Sequence, residues 1–126
     1  MRYYMESMSH PLHDYYKEER PWGSFERFID NEPCSVKFLH VAPGKRLSLQ
    51  THAKREEFWR VIAGSGTATV GDEIRDMKVG DEVLIVVGAK HRLEGGPEGI
   101  SVLEIAFGEF DENDIMRLED DFGRTA

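Results

Sequence analysis

The stretch Gly44-Lys45-Arg46-Leu47-Ser48-Leu49-Gln50-Thr51-His52-Ala53-Lys54-Arg55-Glu56-Glu57-Phe58-Trp59-Arg60-Val61-Ile62-Ala63-Gly64 decides the fold. With the two-residue period of a strand, Arg46, Ser48, Gln50 and His52 fall on one face of a strand over 46–52, and Leu47, Leu49 and Thr51 on the other. A second strand over 56–63 alternates Glu57, Trp59 and Val61 with Phe58, Arg60 and Ile62. The turn Ala53-Lys54-Arg55-Glu56 between them brings Glu57 back alongside His52. Two successive strands thus send polar side chains toward one place.

Outward from this stretch the same rhythm continues. Apolar runs at 24–30, 34–42, 66–70, 74–78, 82–87, 91–94 and 100–107 are separated by turn-forming segments such as Asn31-Glu32-Pro33, Gly71-Asp72 and Gly95-Gly96-Pro97. Gly64-Ser65-Gly66 reads as a further turn. Nine short strands predict an all-β sandwich or barrel. The two ends read differently. Ser9-His10-Pro11 offers a cap and a first-turn proline before Leu12–Arg20, where Leu12, Tyr15 and Tyr16 share a helical face. A helical extension is therefore expected over 1–20 and a barrel over 21–126. A C-terminal helix is expected over Asp111–Gly123, capped by Asp111, with Ile115 and Leu118 toward the barrel. Leu47, Leu49, Phe58 and Ile62 are expected to face outward, and covering them predicts a homodimer.

The chain has 126 residues, which suits one domain, and 40% hydrophobic residues, which suits a packed core. Sixteen basic against 24 acidic residues give a net charge of −8, which argues against nucleic acid as a partner. No apolar run is long enough for a membrane span, and Met1–His10 lacks a signal-peptide core, so neither membrane nor export is expected. A lone Cys34 excludes an intrachain disulfide and a thiolate-rich zinc site, which fits the cytoplasm.

One further imidazole, His91, opens a strand just after Val87-Gly88-Ala89-Lys90. Gln50, His52, Glu57 and His91 can converge inside a barrel. Two imidazoles, a carboxylate and an amide oxygen suit one divalent first-row ion with open positions, zinc before manganese, cobalt, nickel or iron. From the residues alone, a metal site and a solvated sheet face stand side by side.

The spacing adds a resemblance. Gly44, Gln50, His52, Glu57 and Gly64 stand at the intervals of the first cupin motif, with Gln50 in the place of its usual first histidine. Gly80, Val86-Val87-Gly88, His91 and Gly95 resemble the second, with Val86 for its usual proline and Gly95 for its usual asparagine. A narrower resemblance runs over about 20–124. Arg20-Pro21-Trp22-Gly23-Ser24-Phe25, Val36-Lys37, Pro43–Gln50, Arg55 with Glu57 and Trp59, His91-Arg92-Leu93-Glu94, and Asp114–Arg124 look like the type II phosphomannose isomerase cupin. The glutamine at position 50 is the habit of that family. Phe38, Ala53 and Phe58 depart from it, standing where arginine, histidine and histidine are usual.

The resemblance implies a cupin jelly-roll barrel that interconverts mannose 6-phosphate and fructose 6-phosphate. In that family the module is often half of a bifunctional guanylyltransferase; in 126 residues that second activity is not expected here. The expected ligands are Gln50, His52, Glu57 and His91. Glu57 is the expected base, with Glu104 and Glu94 in reserve, and Arg55, a loop arginine beside the ligands, is the other expected catalytic residue through its place in the family motif, as a contact for the substrate phosphate. A phosphate dianion needs arginine or lysine, and Arg46, Lys90 and Arg92, with Ser48, are the nearest candidates. Lys37, Arg20 and Arg124 are more distant ones. Two other readings remain open: a metal- or sugar-binding module without turnover, and another cupin enzyme such as an oxygenase or a nucleotide-sugar ketoisomerase.

Overall fold

The computed structural model describes residues 10–109, 111 and 113–124. It is all-β, with two compact units meeting in sequence between Pro33 and Cys34. The expected cap Ser9, with the rest of 1–9, lies outside the described residues. Among the described residues no helix is long and apolar enough to cross a membrane.

The first unit is a hairpin. Strands β1 (Tyr16–Arg20) and β2 (Gly23–Arg27) pair antiparallel around Pro21-Trp22, with Arg20 opposite Gly23. The helix expected over this segment is not formed. Leu12–Tyr15 makes one turn, closed by the Tyr15 amide on the Leu12 carbonyl, and Tyr16 enters the strand. The reason is cross-strand packing. The Arg27 guanidinium lies over the Tyr16 ring at 5.4 Å, and Arg20 over the Phe25 ring at 5.3 Å. A lone helix of about ten residues has marginal stability by comparison.

The second unit is one seven-stranded antiparallel sheet folded on itself: β3 (Cys34–Val41), β4 (Leu49–Thr51), β5 (Arg55–Val70), β6 (Glu73–Lys78), β7 (Glu82–Ile85), β8 (His91–Gly108) and β9 (Met116–Glu119). Its spine is the β5/β8 ribbon. The first half of β5 also pairs with β7 and the second with β6, while β8 also takes β3 along Ile100–Phe107 and β4 at His91. Val41, Trp59, Val61, Ala68, Met77, Val83, Ile85, Leu93, Ile100 and Val102 fill the core. This is the jelly-roll barrel that the resemblance implied.

Two expected turns are bends instead. Gly64-Ser65-Gly66 and Gly95-Gly96-Pro97 lie within β5 and β8, where the register slips between Val61 and Ala63 and again between Gly64 and Gly66. Gly64 has φ +74°, and a Cβ there would sit 2.1 Å from the Gly99 carbonyl oxygen. Glycine lets the two backbones touch at the bend.

The expected C-terminal helix is also absent. Asp111 caps a single turn, accepting the Asn113 amide on its carboxylate and the Asp114 amide on its carbonyl. The chain then runs as β9 along the free side of β4, with Ile115 and Arg117 half-buried and Met116 and Leu118 exposed. Pairing satisfies the backbone of the short edge strand β4, which an isolated helical turn would leave open. Two of the four outward positions behind the dimer expectation are corrected as well. Phe58 is fully buried and Leu47 packs on the core, while Ile62 is exposed.

Candidate metal centre

The regular part of the expected 46–52 strand shrinks to Leu49–Thr51, preceded by a single bridge from Arg46 to Glu94. Arg46 leaves the expected polar face: its guanidinium makes a two-pronged ion pair with Asp121, at 2.7 and 2.9 Å. Ser48 is buried and its hydroxyl accepts from the Gln50 amide at 3.2 Å. Gln50 lies directly opposite His91 in the β4/β8 ladder. His52 and Glu57 flank the tight turn between β4 and β5, as their sequence positions required.

His52, Glu57 and His91 are buried together, and each offers one ligand atom within 4.8 Å of the others. Glu57 Oε2 is 3.3 Å from His52 Nε2, and Glu57 Oε1 is 3.5 Å from His91 Nε2. Both imidazoles are tethered behind. His52 Nδ1–H donates to the Asp114 carbonyl at 2.6 Å, and His91 Nδ1–H to the Ala89 carbonyl at 3.0 Å. A tethered Nδ1–H fixes the tautomer and turns the Nε2 lone pair inward, the arrangement that metal-ligating histidines require. Burial pushes the His91 imidazole down to about 4, so near neutral pH that lone pair is free of a proton.

Arg55 is not the exposed loop arginine that its position suggested. It is buried, and its Nε donates to Glu57 Oε2 at 2.9 Å, its Nη1 to the Asp111 carbonyl at 3.3 Å, and its Nη2 lies 3.2 Å from His52 Nε2. It compensates the buried Glu57 charge. Glu104 is buried on the neighbouring strand, accepting the Trp59 indole N–H at 3.0 Å, with Lys37 Nζ at 3.5 Å. Burial, then the charge of Glu57, holds the Glu104 carboxyl above its usual range. Trp59 also meets the His91 ring edge-on at 5.8 Å, so it serves as core and as wall of the site.

The other candidates are placed elsewhere. Lys90 reaches the exposed Asp72 at 3.4 Å. Arg92 is buried on the opposite side of β8 from its neighbour His91, donating to the Leu47 carbonyl and to Glu119. Arg20 pairs with Glu18, and Arg124 with Asp120. Glu94 faces Arg46 across the bridge. His40 bonds Ser101 Oγ at 2.6 Å, away from the cluster. Sequence reasoning missed Asp114, whose carbonyl orients His52 and whose carboxylate accepts the Ala53 and Lys54 amides at 2.8 and 2.9 Å. It was hidden because its segment was read as a helix, whose carbonyls bond within the helix.

The donor set fits a divalent first-row ion: two imidazole nitrogens and one carboxylate converge, and no thiolate lies with them. Comparisons with known proteins bear on the family and the fold. A family model described as mannose-6-phosphate isomerase C-terminal matches residues 7–120. The mannose-1-phosphate guanylyltransferase ManC of Salmonella typhimurium is 34% identical over 118 residues, which is 92% of this chain and 25% of that protein. The alginate biosynthesis protein AlgA of Pseudomonas aeruginosa is 38% identical over 85% of this chain and 23% of its own. This chain thus spans about a quarter of the length of the curated relatives it matches. Among solved structures, oxalate decarboxylase from Bacillus subtilis superposes with a TM-score of 0.62 at 28% identity, covering 69% of this chain and 24% of that one. The capsular polysaccharide assembling protein CapF from Staphylococcus aureus gives 0.60 at 26% identity, covering 89% and 35%. A cupin barrel, a buried His/Glu/His cluster and a family match over nearly the whole chain lead to one conclusion: the chain belongs to the mannose-6-phosphate isomerase C-terminal family.

Proposed function

We propose that this chain is a metal-dependent aldose-ketose isomerase that interconverts mannose 6-phosphate and fructose 6-phosphate and so feeds mannose activation and polysaccharide synthesis. The observation that carries the reading is the buried convergence of His52, Glu57 and His91, with both imidazoles tethered through Nδ1 to backbone carbonyls. The family match and relatives concerned with alginate and xanthan synthesis support the same class of chemistry.

Isomerisation moves one proton between C1 and C2 of the open-chain sugar and places negative charge on an oxygen as it does so. His52, Glu57 and His91, with Gln50 from the adjoining ladder position, would hold the ion. When bound, such an ion supplies a Lewis acid for the sugar oxygens. Glu57 carries the proton between the two carbons. Arg55, donating to Glu57 Oε2, fixes the orientation of that carboxylate. Glu104, held by the Trp59 indole N–H, is the adjacent carboxyl with which Glu57 exchanges the proton. The burial of all three carboxylate and imidazole ligands keeps bulk water from the transfer.

The test is a coupled isomerase assay on the full chain reconstituted with zinc or manganese, run with mannose 6-phosphate and glucose 6-phosphate in parallel. Turnover of the mannose ester, its loss on chelation, and a larger fall in metal content for His91→Ala than for His40→Ala are expected. Binding without turnover would leave a sugar-recognition module in its place.

A further inference from the structure

We propose that Arg117 binds the phosphate group of the sugar phosphate; this rests on the isomerase reading above and names the group that reads the far end of its substrate. Strand β4 lies between β8 and β9, and Gln50 faces His91 on one side and Arg117 on the other. Residues directly opposed in an antiparallel ladder present their side chains to the same face. Arg117, Gln50 and His91 therefore form one row, with Arg117 two strand spacings, about 10 Å, from His91. That is the side of the sheet where His91 meets Glu57.

A bulge produces this placement. The β4/β9 register runs from Leu49 opposite Glu119 to Gln50 opposite Arg117, one step on β4 against two on β9. Without the bulge Arg117 and Glu119 would share a face; with it they part. Glu119 goes to the outer side, where it accepts from Arg92. Arg117 goes to the side of the cluster.

The chemistry of Arg117 differs from that of every cation nominated from the sequence. Arg46, Arg55, Lys90, Arg92 and Arg124 each have a carboxylate partner. Arg117 has none among the described residues, and its Nε is buried without a hydrogen-bond acceptor. A buried N–H without an acceptor destabilises a fold, and none of the described residues accepts from this one. A guanidinium in a water-poor site binds a phosphate dianion through paired N–H donors.

The experiment measures binding of mannose 6-phosphate and of mannose by calorimetry on the full zinc-loaded chain, with inorganic phosphate as competitor, alongside turnover. Arg117→Met is expected to weaken mannose 6-phosphate binding roughly 10- to 100-fold, the loss of a charge-assisted contact. It is expected to abolish competition by phosphate and to leave mannose binding and Tm unchanged or Tm higher. Arg117→Lys restores part of the affinity, which a steric role would not. Unchanged affinity and competition in Arg117→Met, or an equal loss for mannose and mannose 6-phosphate, overturns the proposal while turnover by the natural chain keeps the isomerase reading. Arg117-dependent phosphate binding in a chain that never turns over supports the anion site and removes the isomerase reading. A natural chain that neither binds nor turns over the ester removes both.

Discussion

Asp114 holds His52 twice over: its carbonyl accepts the Nδ1–H at 2.6 Å, and its carboxylate accepts the amides of Ala53 and Lys54, the two residues that follow His52. Those amide bonds keep the Asp114 carboxyl below the usual carboxylate range. Asp114→Ala removes the loop bonds while leaving the carbonyl, so His52 loses its fixed orientation. Metal affinity should fall about 10- to 100-fold, as for other groups that orient a ligating histidine. Competition with a chelating dye measures it, and an unchanged dissociation constant would show that the carbonyl alone is sufficient.

Arg55→Ala tests the charge arrangement. Both Arg55 and Glu57 are buried, and removing one member of such a pair leaves an uncompensated charge that costs about 3–5 kcal/mol. Denaturant unfolding of the metal-free variant should show that loss. Added zinc or manganese should recover more stability in the variant than in the natural chain, because a bound cation meets the same Glu57 charge.

Glu57→Gln keeps the size and an oxygen donor but removes the only charge in the His/Glu/His cluster. Metal content per chain should drop and isomerase turnover should nearly vanish. Elemental analysis and the coupled assay read the two effects separately.

Gly64→Ala should destabilise strongly, since its Cβ would lie 2.1 Å from a backbone oxygen at φ +74°. Gly71→Ala, at φ +62° with open space around it, should cost only about 1 kcal/mol. Thermal melts of the two variants check the contrast.

The C-terminal segment should respond to acid. Hydrogen bonds from Arg124 hold the Asp120 carboxyl below the usual range, and those from Arg46 do the same for Asp121. Groups depressed in this way contribute stability above the ordinary aspartate value of about 3.9, and that contribution is lost as pH falls below it. Protection of the amides over 120–124, taken relative to the intrinsic exchange rate at each pH, should be the same at pH 7 and pH 5 and lower at pH 3.

The barrel and the convergence of His52 and Glu57 were legible because both depend on local alternation. Gln50, His52 and Glu57 lie within eight residues, and a period of two places them wherever the strands pair. The ends were not legible. Leu12, Tyr15 and Tyr16 fit a helical face equally well, and the contacts of Tyr16 with Arg27 and Phe25 across a hairpin decide for a strand. Ile115 and Leu118 suit a helix until the open side of β4 is present to pair with. Arg117 escaped notice for the same reason, because a bulge has no signature in the spacing of Met116–Glu119. Arg55 was found by its place in a motif, and its burial followed from partners in another segment, Asp111 among them.

The bent β5/β8 ribbon also fixes when the site can exist. Glu57 lies level with Ala106 and His91 level with Val70, at opposite ends of the ribbon. A straight ribbon would separate those levels by roughly 40 Å. Their carboxylate and imidazole meet at 3.5 Å because the ribbon doubles over at its glycines. The cluster is therefore completed only after the long-range pairing of β5 with β8 has formed and bent, late on a folding path whose high contact order makes it slow. A metal ion added to the unfolded chain has no preformed pair of these ligands to gather, and it should slow unfolding while leaving the folding rate unchanged.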